Sequence, residues 1–317
     1  MRIIVAFLMA SFSAQTCRAW SESGHHIIAV LAYDLLSRDE QQQLLAILNV
    51  HPRFAEDFVS RDKASPEENE RWLIGRAGYW PDVARSQPQY NRPSWHYQLG
   101  ASLIIGDLKG VPRNPGPVPA DASLGTKDLH IAQAIEVCRR VLRDKSRPKS
   151  DRALAICWLA HLVGDAHQPC HAGSLYIAGA FPDGDRGANS IPTKQSRNLH
   201  ALWDGLLGDR YDAGDIRRRC EVIRSNAATW SAAEAAANKQ DGLNPLTWLS
   251  ESREFGRSHV YTPDVLEPVQ AVSRGLASKV ATVELTEEYL KAAGELARKQ
   301  AAFAGHRLVL ILREDLR

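Results

Sequence analysis

The sequence has no apolar run long enough to cross a bilayer and no large excess of charge of either sign. Its N-terminal apolar run ends at Phe12, well short of the roughly 20 residues that a membrane-spanning helix needs. The 317 residues carry 39 basic and 37 acidic side chains, so no overall basic field is present to attract nucleic acid. Asn-x-Ser/Thr sites are also absent, and N-glycosylation is therefore not expected.

The first 19 residues differ in kind from the rest. Arg2 gives a positive start, an apolar run follows, and Cys17-Arg18-Ala19 forms a small-x-small cleavage site before Trp20. We predict a secretory signal peptide over residues 1–19 and one domain over residues 20–317, secreted or periplasmic. A lipid anchor on Cys17 is the weaker alternative. Cleavage would leave 37 basic and 37 acidic residues, because the signal holds two arginines and no acid.

Cysteine is scarce, with five in the chain and four after cleavage: Cys138, Cys157, Cys170 and Cys220. An even number in an oxidising compartment suits disulfide bonds, and four cysteines allow three pairings that sequence cannot distinguish. Cys138 and Cys157 lie almost symmetrically about the turn from Lys145 to Asp151. A disulfide bond across a helical hairpin and a pair of buried free thiols both fit that spacing.

Alternating strand patterns, internal repeats and linkers are lacking too, and helical periodicity dominates. The economical prediction is an all-α, single-domain helical bundle with long irregular loops over Gly106–Ser123 and Phe181–Arg197. Helices are predicted at His25–Leu48 with a polar interruption near Arg38–Gln43, Glu67–Tyr79, Thr126–Arg143, Arg152–Gln168, Leu199–Leu207, Asp215–Asn238 and Thr286–Leu312.

The stretch from Trp158 to His171 carries the first chemical signal. His161 and Asp165 are four residues apart in an otherwise apolar helix, with Asp151 as a plausible N-cap and Pro169 helping to end it. That spacing puts an imidazole and a carboxylate one turn apart on one face. Burying both is costly unless they satisfy each other or a charged group lies between them.

The same pairing recurs in Asn198-Leu199-His200-Ala201-Leu202-Trp203-Asp204. Upstream, aromatic residues flank further candidates, in Trp80-Pro81-Asp82 and Trp95-His96. Imidazole and carboxylate without thiolate form the ligand set of catalytic zinc. The candidates are too many for one ion and suit two or three: His25, Asp82, His96, His161, Asp165, His171, His200 and Asp204.

In this order, starting from Trp20, the series resembles the single-strand-specific zinc nucleases and 3′-nucleotidases. This family includes mung bean nuclease and its fungal relatives, and belongs with the zinc phospholipases C. The resemblance covers Trp20 to about Asp204. It implies a mostly helical fold, three Zn²⁺ ions and attack by a metal-bound hydroxide, since bound water ionises near pH 7. It also implies single-stranded DNA or RNA and nucleotides as substrates, 5′-phosphate products and no stable protein partner.

Carried over by residue, the resemblance implies one ion held by Asp82, His96, His161 and Asp165. A neighbouring ion would be held by His25, by Asp165 as a bridging ligand, and by the free amino group and carbonyl of Trp20. The third would take His171, His200 and Asp204. An uncleaved chain has no free amine at Trp20, so processing would be a condition for a full site.

Three residues are expected to contact substrate. Arg85 matches a phosphate-binding position, and its planar fork suits bidentate contact; with Asp82 and Asp165 it forms the predicted catalytic set. Tyr97 matches a base-stacking aromatic, with simple packing as an equal alternative. Asn189 lies in a loop that resembles a Gly-Gly-Asn segment with Ala188 in place of one glycine, a small change if that position does not need positive φ.

Two features bear on the class of reaction. Leu99 stands where the fungal nucleases carry an acidic base-contacting residue, so base preference stays open. A zinc-dependent phospholipase C is the alternative function, but that branch typically has Glu at the position of Asp204 and a shorter segment between His171 and His200. His26 and His167 are assigned to supporting or surface roles.

Overall fold

The computed structural model describes residues 20–59, 65–108, 110–112 and 114–317. The predicted signal peptide, residues 1–19, lies outside this range. The helices are α1 (Glu22–Tyr33), α2 (Arg38–Leu48), α3 (Phe54–Asp57), α4 (Pro66–Val83), α5 (Ile131–Arg143), α6 (Lys149–Ala166), α7 (Pro169–Ala172), α8 (Leu199–Asp204), α9 (Ala213–Ser225), α10 (Ala227–Ala237), α11 (Pro245–Phe255), α12 (Pro263–Ser273) and α13 (Glu287–Leu316). The strands are β1 (Gly100–Ile105) and β2 (Gly173–Ile177).

The predicted all-α, single-domain class is confirmed, and α6 lies at its centre. Helices α1, α4, α5 and α13 all pack against α6, and nearly every residue from Arg152 to Ala166 is buried. A helix that is apolar nearly all round is stable only inside such a bundle. The expected N-cap was wrong, because Pro148 occupies that position and Asp151 lies in the first turn. Pro169 follows the end of α6 and begins α7.

Two predicted helices are each divided. The first breaks between α1 and α2, earlier than the polar stretch that was expected to interrupt it. Ser37 caps α2 by accepting from the Glu40 N–H, and the Glu40 carboxylate accepts from the Ser37 N–H, so the polar residues start a helix. The second breaks at Asn226, whose side chain accepts from the Thr229 N–H and caps α10.

The expectation that strands are lacking was wrong. β1 and β2 form a parallel pair, running from Gly100 opposite Gly173 to Ile105 opposite Ile177. The pair positions the candidate site, because β1 follows His96 and β2 follows α7. The backbone N–H of Gln98 also donates to the His171 carbonyl, at 2.9 Å.

The four cysteines after Trp20 are buried thiols, and no disulfide bond joins any two of them. Cys138 and Cys157 lie on α5 and α6, which pack together, and burial raises the pKa of both thiols. Of the two alternatives, the structure has the buried thiols. Among the described helices, none combines the length and apolar character needed to cross a membrane.

Candidate metal centre

Five predicted ligands from three helices and one short 3-10 turn meet in the first cluster. His25 lies on α1, Asp82 near the end of α4, His96 at the end of the turn Pro93–His96, and His161 with Asp165 on α6. Their side chains are at most 3% exposed. Two groups here have ligand atoms close enough to share a metal ion: His25 with Asp82 and His161, and His96 with His161 and Asp165.

Asp165 is the centre of this cluster. Its Oδ2 lies 3.3 Å from both His96 Nδ1 and His161 Nε2. Its Oδ1 lies 3.5 Å from His25 Nε2. Neither oxygen accepts a hydrogen bond, and both are buried. The two oxygens therefore face different imidazoles, which is the arrangement that a carboxylate bridging two metal ions requires.

Small residues let the three helices approach closely enough to form this cluster. The His25 ring lies against Gly164, where an added Cβ would be 3.1 Å from Nδ1. The Gly78 carbonyl accepts a hydrogen bond from His161 Nδ1 at 2.8 Å. This bond leaves His161 Nε2 pointing at Asp165, so the backbone of α4 sets the orientation of a predicted ligand on α6.

The second cluster combines His171 of α7 with His200 and Asp204 of α8. Asp204 Oδ1 is 3.7 Å from His171 Nε2, and its Oδ2 is 3.4 Å from His200 Nε2. The Nδ1 atoms of both rings donate to backbone carbonyls, of His96 at 2.5 Å and of Gly187 at 2.6 Å. Both Nε2 atoms are thereby turned toward the carboxylate.

Burial and neighbouring charge set the protonation of the first cluster. Burial lowers the pKa of His96 to about 4, and Arg85 adds to this effect. Burial also holds the pKa of His25 well below its usual range. For Asp165, burial opposes ionisation, but the imidazoles, His161 foremost, outweigh it and hold the pKa well below its usual range. Neutral His25 and His96 with an ionised carboxylate are the forms that bind metal ions.

The loop before α8 supports His200 through an unusual backbone. Arg186, Gly187 and Ala188 have φ of 62°, 62° and 64°, a region that L residues other than glycine rarely adopt. Ala188 in place of glycine was expected to be a small change only if the position did not need positive φ. The position does need positive φ, so that expectation was wrong. At Gly187, an added Cβ would collide with the Cys170 carbonyl and lie 3.1 Å from Leu99 Cδ2.

The three residues that were expected to contact substrate make different interactions in the structure. Arg85 Nε donates to Asp82 Oδ1 at 2.6 Å, while its Nη2 is buried and makes no hydrogen bond. Tyr97 is half-buried, with its ring centroid 6.3 Å from that of His130. Asn189 Nδ2 donates to the Arg186 carbonyl at 2.9 Å, and Asn198 Nδ2 donates to the Asn189 side chain at 3.2 Å.

Trp20 is buried and fixed beside both clusters. Its indole Nε1 donates to the Gly164 carbonyl at 3.0 Å, one residue before Asp165. The next N–H, of Ser21, donates to the backbone carbonyl of Asp204 at 3.0 Å. The N-terminal segment of the predicted domain is therefore bound to α6 and to α8 at once.

His26 and His167 were assigned to supporting or surface roles. Both are buried, so the surface role was wrong. His26 packs against Tyr211, with ring centroids 4.7 Å apart. His167 Nδ1 donates to the Val163 carbonyl at 2.7 Å, and Arg307 Nη1 lies 2.7 Å from its Nε2. Neither belongs to a group of ligand atoms close enough to hold a metal ion among the described residues.

Sequence reasoning missed the groups that orient the ligands. Gln168 is fully buried, and its Nε2 donates to Asp204 Oδ1 at 2.7 Å. The carbonyls of Gly78, His96 and Gly187 orient three imidazoles. Backbone acceptors leave no mark in a residue pattern. Gln168 left one signal, since a polar residue directly between the histidines of His167-Gln168-Pro169-Cys170-His171 needs a partner if it is buried.

These residues fit a metal centre by their chemistry. Buried atoms without a hydrogen bond include both Asp165 carboxylate oxygens, Asp82 Oδ2 and His25 Nε2. Buried polar atoms are nearly always paired, so a set of unpaired oxygen and nitrogen atoms facing one another marks a place for a cation. The donor set contains histidine and aspartate without cysteine, as in catalytic zinc sites.

Comparison with known proteins agrees with this geometry. The model of the family described as S1/P1 Nuclease matches residues 20–317. The chain belongs to the S1/P1 nuclease family. Endonuclease 1 of Arabidopsis thaliana is 26% identical over 98% of this chain and 91% of its own length. Nuclease S1 of Aspergillus oryzae is 20% identical over 93% of this chain and 91% of its own length.

As an S1/P1 nuclease, the protein is a hydrolase that acts on nucleic acids. The resemblance carried by the series from Trp20 to Asp204 is therefore confirmed at the level of the family and of nuclease activity. The family is metal-dependent, and the two His/Asp clusters are groups that could hold metal ions.

Proposed function

We propose that this S1/P1 nuclease is a trinuclear zinc phosphodiesterase. It hydrolyses single-stranded DNA and RNA to 5′-phosphate products, and 3′-nucleotides to nucleosides and phosphate. The observation that carries the proposal is the state of Asp165. It is a fully buried carboxylate with a lowered pKa, surrounded by imidazoles and without a hydrogen bond at either oxygen. A buried ionised group is costly without compensation, and bound cations would provide it.

The proposed ligand sets are those that the family resemblance implies, and the distances from Asp165 to His25, His96 and His161 support them. Asp82, His96, His161 and Asp165 would hold one ion. His25, the second oxygen of Asp165 and the amino group and carbonyl of Trp20 would hold its neighbour. The third would be held by His171, His200 and Asp204, whose ligand atoms already form a compact group. Histidine and aspartate ligands that leave positions open for water favour zinc in a catalytic role.

Zinc in such a site supplies a nucleophilic hydroxide near neutral pH and neutralises charge on the phosphate oxygens. The chain's own residues orient the ligands and the substrate. Arg85 Nε donates to Asp82, which leaves Nη2 without a hydrogen bond and available to a phosphate oxygen. Tyr97 would stack a base, and Asn189 would contact the substrate from the left-handed loop, where its own amide is oriented by Asn198.

The remaining expectations belong to this proposal. Residues 1–19 would be a signal peptide and residues 20–317 the nuclease domain, secreted or periplasmic. The absence of a free amine at Trp20 in an unprocessed chain would then make cleavage a condition for the second ion. The proposal requires no protein partner.

The test is an assay of protein that begins at Trp20, after zinc loading. Release of 5′-nucleotides from single-stranded DNA and RNA, and of phosphate from 3′-nucleotides, is measured beside phosphocholine release from phosphatidylcholine. We expect nucleotide release that a chelator abolishes and that added zinc restores, with about three zinc ions per chain by elemental analysis.

Two outcomes would contradict the proposal. Nuclease activity that survives complete removal of metal would exclude the metal-dependent mechanism. Phosphocholine release without nucleotide release would assign the site to the phospholipase C reaction, the alternative that the sequence left open. Double-stranded DNA serves as the control substrate for single-strand preference.

A further inference from the structure

Gln168 is the second of the two residues between α6 and α7, and it contacts the peptide or side chain of three predicted ligands. Its backbone N–H donates to the Asp165 carbonyl at 3.0 Å, and its carbonyl accepts from the His171 N–H at 2.9 Å. Its side-chain Nε2 donates to Asp204 Oδ1 at 2.7 Å. One residue therefore links the backbone of Asp165, in the first cluster, to two ligands of the second.

The orientation of its amide is fixed by the surrounding donors. Gln168 Oε1 accepts from the Cys170 N–H at 2.5 Å and thereby caps α7. A backbone N–H can only donate, so the amide oxygen must face Cys170 and the NH₂ group must face Asp204. The side chain is fully buried, so bulk water does not reach it as a substitute partner.

The hydrogen bond from Gln168 Nε2 fixes the orientation of the Asp204 carboxylate. The donor holds Oδ1, while Oδ2 stays 3.4 Å from His200 Nε2. A hydrogen bond from a neutral amide to a carboxylate is stronger than one between neutral groups. It limits rotation of the carboxylate about its terminal bond, so the ligand is oriented before a metal ion arrives and loses less freedom on binding.

We infer that Gln168 is the positioning residue of the His171, His200 and Asp204 site, where it sets the affinity for the ion bound there. The inference rests on the proposed trinuclear function. Groups that hydrogen-bond a metal ligand typically change metal affinity by about 10- to 100-fold when they are removed. The effect is expected to be confined to one ion of the three.

The test compares Gln168→Met with Gln300→Met in zinc buffers of decreasing free concentration, with zinc content as the readout. Gln300 is the matched control because it is also buried and its Nε2 donates to the His167 carbonyl at 2.9 Å, yet it contacts no predicted ligand. We expect Gln168→Met to require about 10- to 100-fold more free zinc for one ion only. Gln300→Met should retain all three ions as the unaltered protein does.

A double variant separates positioning from general damage to the fold. In an Asp204→Ala background, Gln168→Met should cause no further loss of zinc, because its bonding partner is already gone. Equal zinc affinity in Gln168→Met and the unaltered protein would overturn the inference, as would an equal loss in Gln300→Met. If Gln168→Met does not fold, Gln168→Asn, which keeps an amide too short to reach both partners, should weaken the same ion.

Failure of the proposed function gives a different result. An unaltered protein that never binds a third zinc ion would overturn the trinuclear proposal, and this inference with it. An unaltered protein with three ions and a fully loaded Gln168→Met variant at limiting zinc would overturn the inference alone.

Discussion

At the scale of single residues, Asp165 and Arg85 have the clearest consequences. Asp165 faces His25 with one oxygen and His96 and His161 with the other. The Arg85 guanidinium donates to Asp82 through Nε, while its Nη2 makes no hydrogen bond. The first residue bears on how many ions are held, and the second on how substrate is held.

Asp165→Ala should lose two zinc ions together, because its two oxygens face separate groups of ligands. Activity should fall by roughly 10³-fold or more, since a bound metal stabilises the transition state by several kcal/mol and 1.36 kcal/mol is tenfold in rate. Zinc content and nucleotide release check this, with exposed Asp241→Ala as the control. An active variant with full metal content would refute the bridging role.

Arg85→Lys should lower kcat/KM by roughly 10²-fold, because one ammonium cannot bond Asp82 and a phosphate in the geometry of the guanidinium fork. Zinc content should change little. Steady-state kinetics on single-stranded DNA provide the measurement. Arg218→Met, which removes a surface ion pair with Asp215, is the control and should leave kcat/KM unaltered. Equal kcat/KM in Arg85→Lys and the unaltered enzyme would exclude the phosphate contact.

At the scale of elements, the loop before α8 carries conformational strain and orients His200. Gly187→Ala should destabilise the loop, because the new methyl group meets the Cys170 carbonyl in addition to the cost of positive φ. We expect a loss of roughly 2–4 kcal/mol in unfolding free energy and weaker zinc binding at His200. Denaturant unfolding and zinc content test both expectations.

Gly275→Ala is the matched control for that variant. Gly275 has φ of 73° with nothing within 4 Å of an added Cβ, so it reports the cost of left-handed backbone alone, about 1–2 kcal/mol. Equal destabilisation by the two substitutions would show that the contact with Cys170 is unimportant.

His51, three residues before the start of α3, makes the stability of the fold sensitive to acid. Burial lowers its pKa to about 4 from the ordinary value of 6.5, so the unfolded chain takes up a proton first as pH falls. The stability that neutral His51 provides is complete above pH 6.5 and is lost progressively down to about pH 4. A shift of this size corresponds to about 3 kcal/mol.

Both His51→Leu and His51→Gln should therefore flatten the decline of unfolding free energy between pH 6.5 and pH 4. Denaturant unfolding at fixed pH values measures the slope, which a change in packing alone would not alter. A decline as steep in both variants as in the unaltered protein would assign the acid sensitivity to other groups.

The elements also show what sequence could and could not predict. His161 with Asp165 and His200 with Asp204 were predictable because an (i, i+4) spacing is a local property of a helix. β1 was not, because a six-residue run bounded by glycine pairs in parallel with a strand more than 60 residues later, and that pairing has no local signal. Ala188 was misjudged for a similar reason, since its positive φ is imposed by contacts of the loop.

At the scale of the whole molecule, the two clusters are connected through the backbone and the N-terminal segment. The His171 imidazole donates to the His96 carbonyl, and the Ser21 N–H donates to the Asp204 carbonyl. Within the described chain, every predicted ligand lies before α9. The later helices, α13 foremost, pack against α1 and α6 and enclose the centre.

Addition of one residue before Trp20 in the processed protein should cut activity at least roughly tenfold. This is the lower end of the loss that follows when a group supporting a metal site is removed. The added peptide bond removes the free amine that the proposed second ion requires. Thermal unfolding of the metal-free protein should be unaltered. A one-residue addition after Arg317, which is exposed, is the control. Full activity in a chain verified to keep the extra N-terminal residue would refute the role of Trp20.

The compact spacing of ligands along α6 and α7 also limits how this gene can vary in length. One inserted codon between His161 and Asp165 would turn everything downstream on the helix by about 100° and would separate the carboxylate from His161. The Phe181–Arg197 loop contains no predicted metal ligand, and its first four residues, before Asp185, can absorb insertions at far lower cost. Natural length differences among homologous genes should therefore be concentrated there and be absent between His161 and His171.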